Sequence, residues 1–305
     1  MIALVGDDER LLIAQDFGRS LPVGPRVERH LAGALRDALA TPGSLARAQL
    51  AFSVARRFGL ATERALALGT ALEYFHTASL LFDDLPSMDD ARDRRGKACV
   101  HTIHGEGAAT LAALALITRA YSLLWGVLGT AEPSRAARAA ELVSQCLGVE
   151  GILNGQARDL HFDGGGAEDV LEVARGKTVT LIRLTLVLPA LVGGAAEAEI
   201  RSLETLAESW GLAYQVADDF KDKLWTRDEA GKSIARDGAL GRPNLPGQAG
   251  VDVALEHLER LLARAAESLE SLTSGASWPA LDRLHALLRG EIGAIRQRVG
   301  LRACA

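Results

Sequence analysis

The chain has 305 residues, of which 48% are hydrophobic and 24% are charged. That length can support one large hydrophobic core or two smaller ones. The net charge of −5 at pH 7 excludes a general electrostatic attraction to nucleic acid, so an anionic ligand must be held by local cations or by metal. Aromatic residues make up only 5% of the chain, which favours helices over a β-sandwich.

The composition also predicts a cellular location. The three cysteines are scattered and show neither metal-ligand spacing nor a disulfide framework, which indicates a reducing cytoplasm. The first residues carry acids where a signal peptide needs cations. The longest apolar stretch, Leu181 to Gly194, is too short to cross a bilayer and contains Arg183 and Pro189. We therefore predict a cytoplasmic protein without a transmembrane segment.

Apolar residues recur with a helical period in long segments that are separated by short Gly, Pro or Asp breaks. The predicted helices cover residues 26–40, 45–58, 63–85, 107–128, 132–161, 167–175, 177–192, 197–222, 251–272 and 278–298. No strand pattern, long linker or repeat interrupts them. The sequence thus predicts an all-α protein with a single domain over residues 1–305, a large helical bundle around a central cavity.

A first group of acidic residues follows the helix predicted at 63–85. It contains Asp83, Asp84, Asp89 and Asp90. Acids at the C-terminus of a helix oppose the macrodipole, which costs roughly 0.3–1 kcal/mol each. His76 precedes Asp83 by two turns and therefore lies on the same helix face. This arrangement calls for a bound cation.

A second group of acidic residues lies in the helix predicted at 197–222. Asp218 and Asp222 are four residues apart, with Gln215 one turn earlier and Asp219 between them. Like charges at this spacing destabilise a helix by roughly 0.2–0.5 kcal/mol. Mg²⁺ explains both groups, because it takes oxygen ligands and is usually held by a few carboxylates together with substrate phosphates. We expect the two groups to face each other across the cavity.

Several basic residues near the two groups suit a phosphate. They are Arg92, Arg94, Arg95, Lys97, Lys177 in Gly176-Lys177-Thr178, and Lys232 in Gly231-Lys232-Ser233. Neither glycine–lysine pair belongs to a Walker A loop, because neither has the glycine that the loop places five residues earlier and no strand precedes it. A lysine at the start of a helix, beside a hydroxyl, still suits a phosphate oxygen.

These residues resemble the trans-prenyl diphosphate synthases, or polyprenyl synthetases. The stretch from His76 to Tyr121 resembles their first aspartate-rich region, with the spacing DDxxxxD followed by DDARDRRGK, and Gly211 to Pro246 resembles the second. GQARDL (155–160) and GKT lie between them in the expected order. The resemblance is greatest to bacterial geranylgeranyl diphosphate synthases and implies the isoprenoid synthase type I fold and a homodimer.

The resemblance implies a prenyltransferase that condenses an allylic diphosphate with isopentenyl diphosphate. The residues that would bind about three Mg²⁺ ions are Asp83, Asp84, Asp89, Asp218, Asp219 and Asp222. The residues that would contact the allylic diphosphate are Arg94, Lys177, Gln215 and Lys232, and Thr178 would support its binding. Those that would hold the acceptor are Arg47, His76 and Arg95. The catalytic set is Asp83, Asp84, Lys177 and Asp218, and the released diphosphate would act as the base.

Product length is expected to depend on the helix before the first acidic group. The resemblance implies that the prenyl chain grows along this helix, where Ala78 and Ser79 are too small to block it. Tyr74 and Phe75, one turn earlier, are large enough to form a floor. We therefore expect a C20 product rather than a C15 product.

The sequence departs from the family on the acceptor side. The family pattern GGKRxRP corresponds to Pro42–Ala48, where only Arg47 keeps a positive charge. Each charge-assisted phosphate contact contributes about 1.5–3 kcal/mol, so two losses predict an acceptor KM raised about a hundredfold or more. Three interpretations stay open: a geranylgeranyl diphosphate synthase, a terpene synthase or prenyltransferase with another acceptor, and a non-catalytic partner subunit.

Overall fold

The computed structural model describes residues 2–21, 23–40, 42–225, 241–273 and 277–303. Over these ranges the regular structure is helical apart from one short hairpin, so the all-α prediction is confirmed. The chain divides into two compact units, which are Met1–Ala139 with Pro189–Gly194, and Ala140–Leu188 with Ala195–Ala305. The single domain and its central cavity stay predictions.

The first unit is built around one buried helix. Its helices are α1 (Asp7–Arg19), α2 (Arg29–Ala40), α3 (Ala46–Arg57), α4 (Thr62–Asp83), α5 (Val100–His104) and α6 (Glu106–Leu128). Helix α4 is buried on most of its circumference, as expected of a helix that is apolar all round. Its backbone touches α3, because a Cβ at Gly69 would lie 2.9 Å from the Ala48 carbonyl oxygen. Only glycine permits this approach.

Helix α1 was not among the predicted helices. Its buried apolar side chains are only Ile13 and Phe17, which make a stripe too narrow for a periodicity argument. A cap signal was present, because the Glu9 carboxylate accepts a hydrogen bond from the Gly6 N–H at 3.1 Å. The helix is fastened to α4, where the Tyr74 hydroxyl donates to the Phe17 carbonyl at 2.6 Å.

A hairpin of two antiparallel strands, β1 (Asp93–Arg94) and β2 (Lys97–Ala98), follows α4. Its turn residues Arg95 and Gly96 have φ values of 55° and 74°. Two consecutive positive φ angles define a type I′ turn, which matches the twist of a tight hairpin. Strands of two residues are too short to give an alternating pattern, so the sequence did not predict them.

The second unit is centred on a long helix. Its helices are α8 (Asn154–Leu160), α9 (Ala167–Ala174), α11 (Glu197–Leu224), α12 (Leu245–Gln248), α13 (Val251–Thr273) and α14 (Pro279–Ala303), and α7 (Pro133–Leu147) and α10 (Thr180–Gly193) have residues in both units. The buried face of α11 includes Val216 and Phe220. These side chains share one core with Leu258 of α13 and Ile295 of α14.

A kink and a π-helical turn correct the predicted helix boundaries. The helix predicted at 132–161 is interrupted by Val149–Leu153, where Gly151 leaves the helical region with φ −98° and ψ −123°. The break predicted at Gly176 is instead a π-turn, Arg175–Val179, that joins α9 to α10. The prediction that Lys177 begins a helix is therefore wrong. An inserted residue widens a helix locally without ending it, and such turns are frequent at functional sites.

Two helical stretches, Glu106–Leu128 and Ala167–Gly193, are long and apolar enough to cross a membrane by length and composition alone. The sequence analysis underestimated the length of the second apolar stretch, because the break predicted at Gly176 divided it. The core helices of soluble proteins pass the same test, and 61% of the apolar window of Ala167–Gly193 is buried, against 39% for Glu106–Leu128. Neither stretch is a clear transmembrane segment.

Candidate active site

The first acidic group lies where α4 ends. Asp83 is the last residue of the helix and Asp84 is its C-cap. The following loop folds back on the helix end, because the Asp89 N–H donates to the Asp83 carbonyl at 3.0 Å and the Ala91 N–H to the Asp84 carbonyl at 3.2 Å. Terminal carbonyls are thereby satisfied without another helix. Asp83 and Asp89 are half-buried.

Asp84 is engaged inside the first unit. The Arg94 guanidinium donates to Asp84 Oδ1 from Nε at 2.9 Å and from Nη2 at 2.7 Å. Cys99 donates a further hydrogen bond to this carboxylate, and burial, followed by the charge of Asp84, raises the pKa of the Cys99 thiol to about 12. Only 4% of Asp84 is exposed. A role for Asp84 as a metal ligand stays a prediction. The contacts of its carboxylate favour an internal ion pair with Arg94.

The residues predicted to hold the acceptor lie together in the first unit. Burial, followed by the charges of Arg47, Arg95 and Arg94, lowers the pKa of His76 well below its ordinary value. The imidazole is therefore neutral at pH 7 and has one N–H to donate. The Arg95 guanidinium packs against Gly43 of the preceding loop. Arg47 Nε is buried and has no hydrogen-bond partner within the described residues.

A buried carboxylate that the sequence missed, Glu73, lies beneath this cluster. It accepts a hydrogen bond from the Ala48 N–H at 3.1 Å and is 3% exposed. Burial raises the pKa of Glu73, against the opposing charges of Arg47 and Arg95. An acid in the middle of the apolar run ALEYF was the available signal, since a lone charge in a core helix needs partners.

The structure also shows the surroundings of residues 44 and 45, where the family pattern has two cations that this chain lacks. Leu45 is 6% exposed and has a φ of 52°, so it contributes packing in place of charge. The Ser44 carbonyl accepts a hydrogen bond from Gln49 Nε2 at 2.7 Å. Gln49 Oε1 accepts from the Leu4 N–H at 2.9 Å. The loop before α3 is thus fixed by Gln49 and supplies no cation of its own at residues 44 and 45.

The residues that were predicted to set the product length make different contacts in the structure. Tyr74 is fully buried against α1, through the hydrogen bond of its hydroxyl to the Phe17 carbonyl and an edge contact with the Phe17 ring. Phe75 instead meets Tyr121 of α6 edge-on, with ring centroids 5.0 Å apart. Ala78 is buried, and the Ser79 hydroxyl donates to the His76 carbonyl at 2.9 Å. A role for Tyr74 in the floor stays a prediction, and its contacts with α1, a helix that the sequence did not predict, make Phe75 the better candidate.

Lys177 lies in the second unit, in the π-turn beside α8. Its Nζ is 2.7 Å from Asp159 Oδ2, and Arg242 Nη1 is 3.7 Å from the same oxygen. The π-turn and α8 meet at their backbones, because a Cβ at Gly155 would lie 2.2 Å from the Lys177 nitrogen. Asp159 and Arg242 were missed. The signal for Asp159 was its spacing from Gly155. The two residues are four positions apart and therefore lie on the same face of α8.

Gln215 and Thr178 also meet in the second unit. The Thr178 hydroxyl donates to Gln215 Oε1 at 2.8 Å, and Gln215 Nε2 donates to Asp219 Oδ1 at 2.9 Å. Gln215 therefore faces Asp219 rather than the predicted Asp218, since positions three and four residues apart are both neighbours on a helix. Asp218 and Asp222 are half-buried on α11. Lys232 lies outside the described residues.

Carboxylates of this kind fit a magnesium ion that also binds a substrate. Within the described residues, no three His, Cys, Asp or Glu side chains are arranged to hold a metal by themselves. Mg²⁺ seldom needs such a cage, because it keeps water and phosphate ligands and takes one or two carboxylates. The half-buried carboxylates of each unit suit that chemistry, Asp83 and Asp89 in the first and Asp218 and Asp222 in the second.

All-helical units with half-buried carboxylates and with lysine, arginine and glutamine donors are typical of enzymes that bind diphosphates together with a divalent metal. The family comparison makes this specific, since residues 28–274 match the polyprenyl synthetase family. The chain belongs to that family and is a trans-prenyl diphosphate synthase. This finding supports the main interpretation of the sequence over a terpene synthase or a partner subunit.

The similar proteins compared below are named as prenyl diphosphate synthases. The geranylgeranyl pyrophosphate synthase 11 of Arabidopsis thaliana is 35% identical over 81% of this chain and 71% of its own length. The geranylfarnesyl diphosphate synthase of Leucosceptrum canum is 32% identical, over 84% and 71%. A crystal structure of an FPP/GFPP synthase from Zymomonas mobilis has a TM-score of 0.77 at 26% identity, over 94% and 96%. The isoprenoid synthase type I fold is thereby confirmed.

The predicted cytoplasmic location is wrong. Several relatives, including both of those above, are named as chloroplastic, which points to a plastid. Scattered cysteines indicate only a reducing environment, and that chemistry does not separate one reducing compartment from another. A further Arabidopsis relative, 32% identical over 84% of this chain and 68% of its own length, is named as the large subunit of a heterodimeric geranylgeranyl pyrophosphate synthase.

Proposed function

We propose that this enzyme condenses an allylic diphosphate with isopentenyl diphosphate and that geranylgeranyl diphosphate, C20, is its main product. The observation that carries the proposal is the buried Arg47 Nε, which has no hydrogen-bond partner within the described residues. A buried unpaired donor costs about 1–3 kcal/mol. A diphosphate oxygen would satisfy it, beside the neutral His76 and a second guanidinium, Arg95.

On the acceptor side, two arginines and one imidazole N–H would replace the three cations of the usual pattern. Arg47 and Arg95 would neutralise the diphosphate of isopentenyl diphosphate, and His76 would donate one hydrogen bond to it. Burial, and then the positive charges nearby, lower the pKa of His76 and keep the ring neutral, so it adds direction rather than charge. Glu73 would hold both arginines in place from beneath.

On the allylic side, Lys177, Arg94 and Gln215 would bind the diphosphate, with Lys232 as a further predicted contact. Mg²⁺, which the family generally uses, would be held by Asp83, Asp89, Asp218 and Asp222, with about three ions, and would neutralise the departing diphosphate. The bond from carbon C1 to the diphosphate oxygen breaks, the alkene of the acceptor attacks C1, and a proton leaves to the released diphosphate. The residues of this chain orient both diphosphates for that attack.

The proposed length rests on the contact of Phe75 with α6. Ala78 leaves room for a growing chain beside α4, whereas the Phe75 ring, one turn earlier, meets Tyr121 and would stop it. Tyr121 is in turn stacked on Trp125, with ring centroids 5.9 Å apart. Relatives named as geranylgeranyl pyrophosphate synthases support the same length.

One incubation tests the proposed function. Purified enzyme, Mg²⁺ and farnesyl diphosphate are combined with and without isopentenyl diphosphate, and products are separated by chain length. We expect a C20 product only when isopentenyl diphosphate is present. A hydrocarbon formed without it, or activity that needs a second synthase, would overturn the proposal.

We also propose a homodimer. Helix α6 has a high mean hydropathy and exposes Leu111, Leu114 and Trp125, which are 53%, 48% and 50% accessible in the single chain. Contiguous exposed apolar side chains on one helix favour a protein interface. Sedimentation of the wild type and of Leu114→Glu tests this, and a monomeric wild type would contradict it.

A further inference from the structure

The described residues at the start of α3 give this helix no side-chain cap of its own. Its N-cap residue, Leu45, has a left-handed backbone, with φ 52° and ψ 32°, and its side chain carries no oxygen that could accept a hydrogen bond. The first turn of α3, which is fully described, contains no acidic residue. Because the first N–H groups of an α-helix have no carbonyl partner within it, those of α3 need an acceptor from elsewhere.

Helix α4 supplies this acceptor through Glu73. Glu73 Oε2 accepts a hydrogen bond from the Ala48 N–H at 3.1 Å, and the Arg47 N–H faces the same carboxyl group. Arg47 and Ala48 are the second and third residues of α3, and these are the positions whose N–H groups a side-chain cap normally binds. Glu73 therefore caps a helix to which it does not belong.

The close packing of α3 on α4 makes this cap possible. Gly69 lies one turn before Glu73 and therefore on the same face of α4. Its missing side chain lets the first turn of α3 rest on the backbone of α4, within reach of the Glu73 carboxyl group. Glu73 is only 3% exposed, and a carboxyl group buried this deeply needs hydrogen-bond donors. The N-terminus of α3 supplies them, together with the positive end of its macrodipole.

The cap also fixes the part of the chain that carries Arg47. The Arg47 Nε is buried and has no hydrogen-bond partner within the described residues, so no protein acceptor orients that end of the guanidinium. The direction of the side chain is then set by the backbone from which it starts. Closing the first turn of α3 therefore determines where Arg47 presents its donors.

We propose that Glu73 is a positioning residue for the acceptor diphosphate, which holds the first turn of α3 closed and directs Arg47 without touching either substrate. The inference rests on the proposed function for the identity of the ligand. It adds that acceptor affinity depends on a backbone cap between two helices. Affinity for the allylic diphosphate should not depend on this cap, because its predicted contacts Lys177 and Gln215 lie on other elements.

The two Michaelis constants test this role. Glu73→Gln keeps the shape of the side chain, but its amide has only one oxygen, and its NH₂ group would oppose the N–H groups of α3. We expect the KM for isopentenyl diphosphate to rise about tenfold, which corresponds to about 1.4 kcal/mol, while kcat and the KM for the allylic diphosphate stay unchanged. An unchanged acceptor KM, or an equal rise in both constants, would overturn the inference.

Thr70→Val is the matched control, because Thr70 is another buried polar residue of α4. It is 1% exposed, and its hydroxyl donates to Asp16 Oδ2 of α1 at 2.6 Å. Loss of this bond should lower the midpoint of urea unfolding, as Glu73→Gln should, but leave the KM for isopentenyl diphosphate at its wild-type value. A raised acceptor KM in Thr70→Val would show that lost stability alone produces the effect, against a positioning role for Glu73.

A double-mutant cycle tests whether Glu73 acts through Arg47. Arg47→Ala should itself raise the KM for isopentenyl diphosphate, because it removes the guanidinium that the cap directs. Adding Glu73→Gln to this variant should then leave the acceptor KM where it is, since two residues that act through one contact are not additive. A further tenfold rise in the double variant would mean that Glu73 acts by another route.

Amide hydrogen exchange, followed by nuclear magnetic resonance, reads the cap in substrate-free protein. The N–H groups of Arg47 and Ala48 should exchange slowly in the wild type and in Thr70→Val, and about tenfold faster in Glu73→Gln, where the first turn of α3 opens more readily. A chain that consumes no isopentenyl diphosphate would refute the proposed function, whereas this measurement still decides whether Glu73 caps α3. Rapid exchange of both N–H groups in the wild type would sink the inference whatever the substrate.

Discussion

Arg94 donates two hydrogen bonds to the carboxylate of Asp84, from Nε at 2.9 Å and from Nη2 at 2.7 Å, both to Oδ1. The two residues are ten positions apart, and Arg94 lies in strand β1 of the hairpin that ends just before Cys99. A paired guanidinium keeps its remaining N–H groups pointing in one direction. Asp84 therefore fixes the direction in which Arg94 can present donors to a diphosphate.

Asp84→Asn should measure the strength of this pair. Asparagine keeps the shape but loses the charge, so the free energy of unfolding should fall by about 1–3 kcal/mol. The exposed neighbour Asp90 supplies the control, because Asp90→Asn should change stability by less than about 0.5 kcal/mol. Urea unfolding followed by circular dichroism gives both values. Equal effects at the two positions would show that the Arg94 contact contributes nothing.

Asp83→Ala and Asp218→Ala should each lower the rate of product formation about a thousandfold or more. Each removes a proposed metal ligand, and the loss corresponds to about 4 kcal/mol in the activation barrier. The measurement is turnover of radiolabelled isopentenyl diphosphate at saturating Mg²⁺, with circular dichroism to confirm folding. Near-wild-type rates in either variant would refute its assignment as a ligand.

Phe75→Ala should lengthen the product beyond C20, because it removes the ring that meets Tyr121. Tyr74→Phe is its control on the same helix. It should leave the product at C20 and lower the free energy of unfolding by about 1 kcal/mol, through loss of the bond to the Phe17 carbonyl. Product length is read by chromatography after dephosphorylation. A longer product from Tyr74→Phe would contradict the separation of the two aromatic residues.

Lowering the pH should destabilise the wild-type protein more than it destabilises the His76→Gln variant. The pKa of His76 in the folded protein lies below its ordinary value of 6.5, because burial and then Arg47, Arg95 and Arg94 oppose its protonation. Below that pH the unfolded chain binds more protons than the folded one, so stability is lost as the pH falls.

The slope reaches at most about 1.4 kcal/mol per pH unit for one proton. Glu73, whose pKa burial raises, is present in both proteins, and its contribution largely cancels in the difference between them. Urea unfolding between pH 7 and pH 5 gives the comparison. Parallel curves for the two proteins would mean that His76 titrates normally.

Ser44→Lys should restore part of the acceptor affinity. Residue 44 is where the family pattern has its lysine, and Ser44 is half-buried rather than enclosed. One regained charge-assisted contact should lower the KM for isopentenyl diphosphate about tenfold. Leu45→Arg is the contrasting case, because a charge at this 6% exposed position should destabilise the fold instead. An unchanged KM in Ser44→Lys would mean that the acceptor diphosphate lies elsewhere.

Long periodic segments were predictable from the sequence, and short or glycine-dependent features were not. Helices α4 and α6 follow the predicted 63–85 and 107–128 within two residues, because each is a long apolar helix with clear ends. Helix α1 was missed because it buries only two apolar side chains. The π-turn at Arg175–Val179 was mistaken for a break because glycine usually ends helices.

Residue types at the candidate site were predictable, whereas their partners were not. The acceptor set Arg47, His76 and Arg95 is found together. Its supporting Glu73 could not be inferred, because a periodicity argument reads one helix and Glu73 is held by the Ala48 N–H of another. The partner of Lys177 was missed for the same reason, since Asp159 lies on a separate helix.

The contact between Gly69 and Ala48 limits how the acceptor pocket can be redesigned. Ala48 adjoins Arg47, and Gly69 lies two helical turns before His76, so a backbone junction sets the span between these two groups. Any side chain at residue 69 would wedge the helices apart and shift both. A bulkier acceptor must therefore be accommodated by trimming Arg47 or His76, with the helix framework left as it is.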